Sequence, residues 1–497
     1  MTTQTQITAA VERVNLRVSE LIQKRLTALM SDEQLSARDR EIGVWGMVLE
    51  IGRELLTALL TVACWRVTQR VTEGRPVRLR LERDYCVSQS TTFGSVTVPL
   101  FAYREGGRTQ APAREQVFPL HPKCRSSALL LEWESRVGSQ LPFRQAEDAL
   151  AFFSHGAVQT EDTTISRHMG VIGALLDRVW TCRASEEVAT LLLDRATKDR
   201  KTGRPLFYVS TDAHALRRYV DDTWKAEYKM INGIRLWCID RRTGQTIHLG
   251  GEYTWGDCRE VAERTRALLE LLMPTGDDAP QVVLVTDGMP WIRDHVFPVM
   301  PAGTRFILDF YHLAERLAKY ANAVFGAKSK KAKAWVRRKV QLLTGKRPYK
   351  RKTLAKRKGH RKNRRGTRRD RFKTVHASEH AHGAGDDLLW TLIEQESESE
   401  ALQELTGYVA ANADRIDYST YRAHGMQIGS GAMESLHRTA SQMRLKLAGA
   451  RWTPERAIAV LNTRLMLLAK RWEDFWSQPD LSATLAAAFR QQSPTTS

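Results

Sequence analysis

The fold is decided by the stretch Val282-Val283-Leu284-Val285-Thr286-Asp287-Gly288. Four consecutive apolar residues, three of them β-branched, predict a strand that is buried on both faces. The strand ends at Asp287, and Gly288 marks the turn after it. Ligands and metal ions collect at the carboxyl ends of parallel strands. The stretch therefore predicts an α/β sheet with a polar site at one edge.

The elements on either side complete this sheet. An apolar run from Leu206 to Ser210 ends at Asp212, and a short strand, Phe306 to Leu308, ends at Asp309. Between these runs the pattern predicts a hairpin and a helix: strands 234–239 and 246–250 around the turn 242–244, and a helix over 258–273. This order of elements is that of a ribonuclease H-like sheet, with acidic residues at the strand ends.

A third carboxylate follows much later in the chain. Gly429-Ser430-Gly431 predicts a turn before a helix over 432–447, which contains Glu434. Two aspartates and a glutamate supply the hard oxygen ligands that suit a pair of Mg²⁺ ions, with Mn²⁺ as a substitute. Asp212 would bridge the ions, Asp287 would complete one site and Glu434 the other. Such a pair catalyses in-line displacement at phosphorus, so the predicted enzyme cleaves and joins phosphodiester bonds.

Four motifs resemble those of a known family. They are Thr286-Asp287-Gly288-Met289-Pro290-Trp291-Ile292, Asp309-Phe310-Tyr311-His312, Gly429-Ser430-Gly431-Ala432-Met433-Glu434 and Arg471-Trp472-Glu473-Asp474-Phe475-Trp476. In this order they resemble bacterial insertion-sequence transposases of the Kra type, in the Mutator-like group with a DDE triad. The resemblance runs from about Thr92 to Trp476. It implies a ribonuclease H-like catalytic core interrupted by a mainly helical insertion, and movement of a DNA element bounded by inverted repeats. Met433 departs mildly from the family, where a larger aliphatic residue or valine often stands.

Asp309 and His312 form the Asp-x-x-His element of that group. Their spacing places them on one face at the start of a helix, where either side chain could approach the scissile phosphate. We therefore predict that they are auxiliary active-site residues. The alternative is that Asp309 caps the helix while His312 packs against its neighbours.

The part of the chain before the sheet predicts DNA recognition. Two helices, one after Pro142 and one opened by residues 160–164, are joined by a short turn that includes Gly156, as in a helix-turn-helix. The second helix would then present five side chains to base edges in the major groove: Thr163, Thr164, Ser166, Arg167 and His168. A purely structural helical hairpin remains the alternative.

The net charge of +20 is concentrated in one segment. Residues 328–373 hold 23 of the 76 Lys and Arg against one acid, Asp370, while the rest of the chain holds 53 bases and 55 acids. Such a cluster is typical of polyphosphate binding, and a solvated basic loop or an anionic-lipid patch is the alternative. Eight further DNA contacts are predicted, six in this segment and two on the helix of Glu434: Lys350, Arg351, Lys352, Lys356, Arg357, Lys358, Arg438 and Arg444.

The predicted units follow from these patterns. They are a helical unit 1–75, a small β element with the helix-turn-helix 76–185, a first core part 200–312, the helical insertion 313–425, a second core part 426–476 and a flexible tail 477–497. The sequence thus predicts a transposase acting on double-stranded DNA, both terminal inverted repeats and target, as a homodimer or higher oligomer. The alternatives are a domesticated DNA-binding protein without catalysis and a ribonuclease H-like nuclease without strand transfer.

Other protein classes are disfavoured. The longest apolar runs are too short and too polar to span a bilayer, and the first fifteen residues lack the features of a secretory signal. Six scattered cysteines without a CxxC pair argue against a zinc ribbon and a disulfide framework. We therefore expect a cytoplasmic, nucleoid-associated protein without a membrane contact.

Overall fold

The computed structural model describes residues 3–220, 225–345, 384–393 and 399–491. The chain forms two compact units, residues 1–180 together with 452–497, and residues 181–451. The fold is mixed α/β, with a majority of helix and a mixed sheet. Among the described residues, no helix is both long enough and apolar enough to cross a membrane.

The first unit begins with two long helices, α1 (Thr3–Ser31) and α2 (Ala37–Thr72), as the sequence predicted. Ser36 and Asp39 form a reciprocal capping box that fixes the start of α2. A three-stranded antiparallel sheet follows, with strands β1 (Arg80–Thr91), β2 (Gly94–Glu105) and β3 (Arg108–Gln110). The inward side chains of β2, such as Val98 and Leu100, form a core with α2.

The rest of the first unit is helical, and its helices are α3 (Ala113–Gln116), α4 (Ala128–Gln140), α5 (Phe143–Phe153), α6 (Asp162–Leu175), α16 (Pro454–Leu468), α17 (Trp472–Trp476) and α18 (Leu481–Gln491). The short helix α7 (Arg178–Thr181) spans the boundary between the units. The predicted helix-turn-helix corresponds to α5 and α6, which pack together and against α4.

The second unit is built on a five-stranded sheet. Its strands are β4 (Leu206–Val220), β5 (Lys225–Ile239), β6 (Thr246–Thr254), β7 (Gln281–Thr286) and β8 (Arg305–Leu308). Their spatial order is β6-β5-β4-β7-β8, in which the first three strands are antiparallel and β4, β7 and β8 are parallel. The strand ends of the parallel part therefore meet at one edge.

Helices cover both faces of this sheet. One face packs against α8 (Ser185–Asp194) and α9 (Cys258–Leu272), together with the short turns of 292–299. The other face packs against the helices between the second aspartate and the glutamate, which are α10 (Phe310–Phe325), α11 (Lys330–Leu343), α12 (Ala384–Ile393), α13 (Glu400–Ala411) and α14 (Tyr418–Ala423). The last helix of the unit, α15, has α-helical turns Gly431–Leu436 and Met443–Leu445 around a π-helical stretch His437–Gln442.

Two sequence predictions are corrected by the fold. Asp212 does not end its strand, because β4 continues to Val220 and pairs with β5 from Tyr208 to Val220. The sequence did not indicate this extension, because it contains polar residues such as Arg217 and Arg218. These are tolerated there since this part of β4 lies beyond the pairing with β7 and is only partly buried. The predicted flexible tail is also wrong for residues 481–491, because α18 buries Leu481, Leu485 and Phe489 in the core of the first unit.

The close approach of α6 to α16 generates a stability prediction. A Cβ on Gly173 would lie 2.3 Å from the Ala459 carbonyl oxygen, whereas Gly46 in α2 has nothing within 4 Å of such an atom. Gly173→Ala should lower the free energy of unfolding by about 1 to 3 kcal/mol through overpacking. Gly46→Ala, the matched control, should raise it by up to about 1 kcal/mol through helix propensity. Urea unfolding of both variants measures the difference, and a stabilised Gly173→Ala protein would show that the two helices do not touch there.

Candidate active site

The predicted acidic residues belong to one row that crosses the sheet. Asp212 pairs directly with Gly233 on β5, and Gly233 pairs with Tyr253 on β6. On the other side, β4 pairs with β7 up to Val209 and Leu284, which lie three residues before Asp212 and Asp287. The same register extended along both chains places Asp212 next to Asp287. The register Thr286 to Leu308, continued by one residue, sets Asp287 beside Asp309. Because neighbouring strands lie about 4.8 Å apart, the sheet brings the three aspartates together.

Asp212 is half-buried and accessible from a cavity. Its Oδ1 accepts the N–H of Ala213 at 2.8 Å, and its Oδ2 lies 3.4 Å from Nε2 of His437. His214, two residues further along β4, packs edge-on against the His437 ring. Burial lowers the pKa of His214 to about 4, so this imidazole is neutral at pH 7.

Asp287 follows β7 and is also half-buried. Its Oδ1 accepts the N–H of Met289 at 3.2 Å. Burial raises the pKa of Asp287 above its ordinary value, the Met289 N–H opposes that rise, and the charge of Asp212 adds to it. His312 and Arg415 act in the opposite direction, so His312 lies close enough to influence Asp287. The two carboxylates repel each other across adjacent strands, and a positive charge placed between them would reduce this repulsion.

Asp309 has a different role from the one that the sequence predicted. It is fully buried, and its Oδ1 accepts the N–H groups of Tyr311 and His312, which caps α10. Its Oδ2 accepts both the N–H and the hydroxyl of Ser430, each at 2.5 Å. Since both oxygens accept hydrogen bonds inside the protein, Asp309 connects the start of α10 to Ser430 at the start of α15. His312 is half-buried, and its backbone is part of the cap.

The start of α15, which carries Glu434, is fixed to the sheet at three points. Ser430 binds Asp309, and the buried Arg235 of β5 donates to the carbonyl oxygen of Ala432. Met433 fits over Gly233, where a Cβ would lie 2.6 Å from its terminal methyl carbon. Burial lowers the pKa of Arg235 to about 10. These contacts hold the exposed Glu434 on the same side of the sheet edge as Asp212.

A polar cavity of about 450 Å³ lies between β4 and α15. It is lined by Asp212, His214, Gly431, Glu434, Ser435, His437, Arg438 and Gln442. Asp287 is not part of this lining. Over the described ranges of the chain, no three His, Cys, Asp or Glu side chains converge closely enough to hold one metal ion. Asp212 thus interacts electrostatically with Asp287 and lines the cavity together with Glu434.

The five predicted base-reading residues of α6 differ in their exposure. Thr163 and Arg167 are exposed, and Thr164 and Ser166 are half-buried. His168 is buried, with Nδ1 at 2.6 Å from the Glu134 carboxylate and Nε2 at 3.6 Å from Cys124 Sγ. The prediction that His168 faces DNA is therefore corrected, because it belongs to a buried polar network.

The neighbourhood of Arg167 is basic. It lines a polar cavity of about 400 Å³ together with Lys123 and Arg125, and the acidic Glu161 lies on the same wall. Arg456 of α16 donates to the carbonyl oxygens of Ser166 and Arg167, which fixes α6 within the unit. Arg167 is thus presented at the surface by a firmly packed helix.

The remaining predicted DNA contacts differ in exposure. Arg438 is exposed and lines the cavity beside Glu434. Arg444 is buried, so the structure corrects the prediction that it contacts DNA. Lys350, Arg351, Lys352, Lys356, Arg357 and Lys358 lie outside the described residues.

Sequence reasoning missed the residues that assemble the site. Ser430 was part of a predicted turn, but its bond to Asp309 joins positions 121 residues apart in the chain. Gly233 and Arg235 lie in a strand whose first half was not predicted, and Tyr253 lies beyond the predicted end of β6. A glycine inside a strand is a sign of close approach by another element, and Gly233 carried that signal.

Comparisons with known proteins add little to this geometry. No protein-family model matches the chain, and no curated protein matches it. Among solved structures, it is similar to the Drosophila P element transposase strand transfer complex, with 10% sequence identity, a TM-score of 0.29, and coverage of 72% of this chain and 93% of that chain. A similarity at this level carries no argument about activity, so the resemblance to the Kra type remains an expectation from the motifs.

The double role of Asp309 can be tested by removing one oxygen. Asp309→Asn keeps a side chain that can cap α10, but whichever way the amide is turned, its NH₂ group faces backbone N–H donors. The free energy of unfolding should fall by about 1 to 3 kcal/mol, the cost of an unsatisfied buried donor. Asp257→Asn is the matched control, because Asp257 caps α9 from an exposed position, and its effect should stay within about 0.5 kcal/mol. Chemical denaturation measures both, and equal effects would contradict the link between Asp309 and Ser430.

Proposed function

We propose that this chain is a DNA transposase whose Asp212, Asp287 and Glu434 hold two Mg²⁺ ions for DNA cleavage and strand transfer. The observation that carries the proposal is the row of aspartates at the sheet edge, with Glu434 anchored beside Asp212 by α15. The order of elements in the second unit also supports a ribonuclease H-like core: three antiparallel strands, a helix and two strands parallel to the first. The helices α10 to α14 would then form the insertion between the second aspartate and the glutamate.

The donor set fits Mg²⁺. All three groups are carboxylates, and Mg²⁺ typically takes one or two protein carboxylates and completes its octahedral shell with water and phosphate oxygens. When bound, a metal pair stabilises the attacking and leaving oxygens of a displacement at phosphorus. The adjacent charges of Asp212 and Asp287, whose repulsion a cation would relieve, support the same assignment.

The chain's own residues would orient the DNA around this centre. Arg438 is exposed on α15, one turn beyond Glu434 and on the wall of the same cavity, where its guanidinium could pair with a backbone phosphate. Asp309 and Ser430 keep α15 against the sheet, so that Glu434 is held in place before substrate arrives. Such preorganisation lowers the cost of assembling the site during the reaction.

Double-stranded DNA is the proposed partner, both as element ends and as target. In the first unit, Arg167 with Lys123 and Arg125 offers a basic surface next to the helix that the sequence predicted to read bases. The segment 328–373 supplies 23 basic side chains for phosphate contacts. A homodimer or higher oligomer is part of the proposal, because two element ends must be processed together.

The chemistry can be tested on DNA that carries the element ends. With Mg²⁺ or Mn²⁺, the protein should cleave these ends, and Asp212→Ala, Asp287→Ala and Glu434→Ala should each abolish cutting while DNA binding survives. Asp278→Ala is the matched control, because Asp278 is an exposed acid of the same unit outside the site, and it should retain activity. Gel assays for cleavage and for DNA binding give the two measurements. Full activity of Asp287→Ala, or cleavage without a divalent metal, would reject the two-metal assignment.

The same assays distinguish a transposase from the two alternative functions, a nuclease and a DNA-binding protein without catalysis. Joining of the cleaved end to a second duplex supports a transposase, whereas cleavage without joining favours a nuclease. Binding of the ends without any cleavage favours a domesticated DNA-binding protein.

The basic segment generates a prediction about affinity. If about six of its side chains meet phosphates, log affinity against log salt should have a slope of about −5 for duplex DNA, since each contact contributes roughly −0.9. Replacing Lys350, Arg351, Lys352, Lys356, Arg357 and Lys358 by Gln should flatten this slope and weaken binding to end DNA and random DNA alike. Fluorescence anisotropy at several salt concentrations measures the affinity for both DNAs and hence this slope. An unchanged slope would mean that these six residues do not touch DNA.

A further inference from the structure

The row of the sheet contains a gap beside Asp212, and Met433 and His437 of α15 fill it. Gly233 stands between Asp212 on β4 and Tyr253 on β6, and it contributes no side chain. A Cβ on Gly233 would lie 2.8 Å from Cε1 of His437 and 2.8 Å from Cε1 of Tyr253. The imidazole of His437 therefore occupies the space that any other residue at position 233 would take.

His437 is held in this gap from two sides. It is 3% exposed, and its Nδ1 lies 3.1 Å from the hydroxyl oxygen of Tyr253, which is itself 2% exposed. The ring of His214 packs edge-on against it, with the centroids 4.5 Å apart. The π-helical stretch of α15 begins at His437, and such stretches are frequent at functional sites. The position of His437 is thus determined by the sheet as well as by its own helix.

The other ring nitrogen faces Asp212. Nε2 lies 3.4 Å from Asp212 Oδ2, and within the described part of the chain it has no hydrogen-bond partner of good geometry. If the Tyr253 hydroxyl donates to Nδ1, the ring proton resides on Nε2 and points at the carboxylate. The opposite arrangement would direct a lone pair of Nε2 at a negative oxygen, which is unfavourable. The carboxylate therefore favours the tautomer in which Tyr253 donates to Nδ1 and the N–H of Nε2 faces Asp212 at 3.4 Å.

We propose that Tyr253 and His437 form a polar chain that orients the Asp212 carboxylate for metal binding. His437 is a positioning residue, because it acts through Asp212, and the inference rests on the proposed function of Asp212 as a metal ligand. The N–H of His437 faces Oδ2 of Asp212 from 3.4 Å, and Oδ1 accepts the N–H of Ala213. Residues that orient a metal ligand in this way commonly contribute 10- to 100-fold to metal affinity. Tyr253 contributes by fixing the ring of His437.

The experiment measures Mn²⁺ binding to the full chain without DNA, by electron paramagnetic resonance of the free ion and by isothermal titration calorimetry. His437→Leu removes the donor and keeps an apolar side chain in the gap, and we expect Mn²⁺ to bind about 10- to 100-fold more weakly. His437→Gln places an amide N–H close to the former Nε2 and should bind Mn²⁺ nearly as tightly as the wild type. Tyr253→Phe should show a smaller loss in the same direction as His437→Leu. Tyr228→Phe, an exposed tyrosine of β5, is the matched control and should change nothing.

The outcomes are distinguishable. Thermal unfolding of each variant shows whether it is folded, and if His437→Leu is not, His437→Gln and Tyr253→Phe carry the test. Normal Mn²⁺ affinity in a folded His437→Leu protein would overturn the inference and leave the proposed function intact. Equal losses in His437→Leu and His437→Gln would also overturn it, since the ring would then only fill space. If the wild type binds no Mn²⁺ and cuts no DNA, the proposed function fails and the inference fails with it.

Discussion

The buried carboxylate of Asp309 is the interaction on which the candidate site depends. One oxygen caps α10, and the other binds Ser430 immediately before α15. A fully buried charge is tolerable only when donors surround it, and here three backbone N–H groups and a hydroxyl provide them. Because the helices α11 to α14 all lie between α10 and α15 in the chain, this single residue closes a loop of more than a hundred residues at the sheet edge.

The second constraint is steric, and it acts at the opposite end of the row. Gly233 leaves room for Met433 and His437, so α15 can lie directly on the antiparallel strands next to Asp212. Arg235, two residues further along β5, binds the first turn of the same helix. Thus α15 is attached to the sheet through β8 and β5, on both sides of the two aspartates. The glutamate lies on a helix that these contacts hold against the sheet.

In the first unit, close packing between helices determines which side chains lie at the surface. Gly173 lets α16 approach α6, and Arg456 binds the carbonyl oxygens on the exposed side of α6. The buried pair of His168 and Glu134, joined by hydroxyls of Ser126 and Thr160, fixes the helix from below. Arg167 is left at the surface with two further basic side chains. The helix that the sequence predicted to read DNA is therefore held on two sides by other helices of its unit, and it carries Arg167 at the surface.

The sequence alone determined the local elements, because apolar periodicity is a property of neighbouring residues. It predicted the buried strand before Asp287, the helix after Asp257 and the helix that carries Glu434, and the structure has all three. It did not predict that β4 runs past Asp212, that Asp309 and His168 are buried, or that residues 481–491 pack into a core. These features depend on partners far away in the chain, such as Ser430 for Asp309 and Glu134 for His168, and no local pattern encodes them. Which carboxylates face a cavity and which ones hold helices together was decided only by tertiary structure, because burial and hydrogen-bond partners are fixed when distant segments meet.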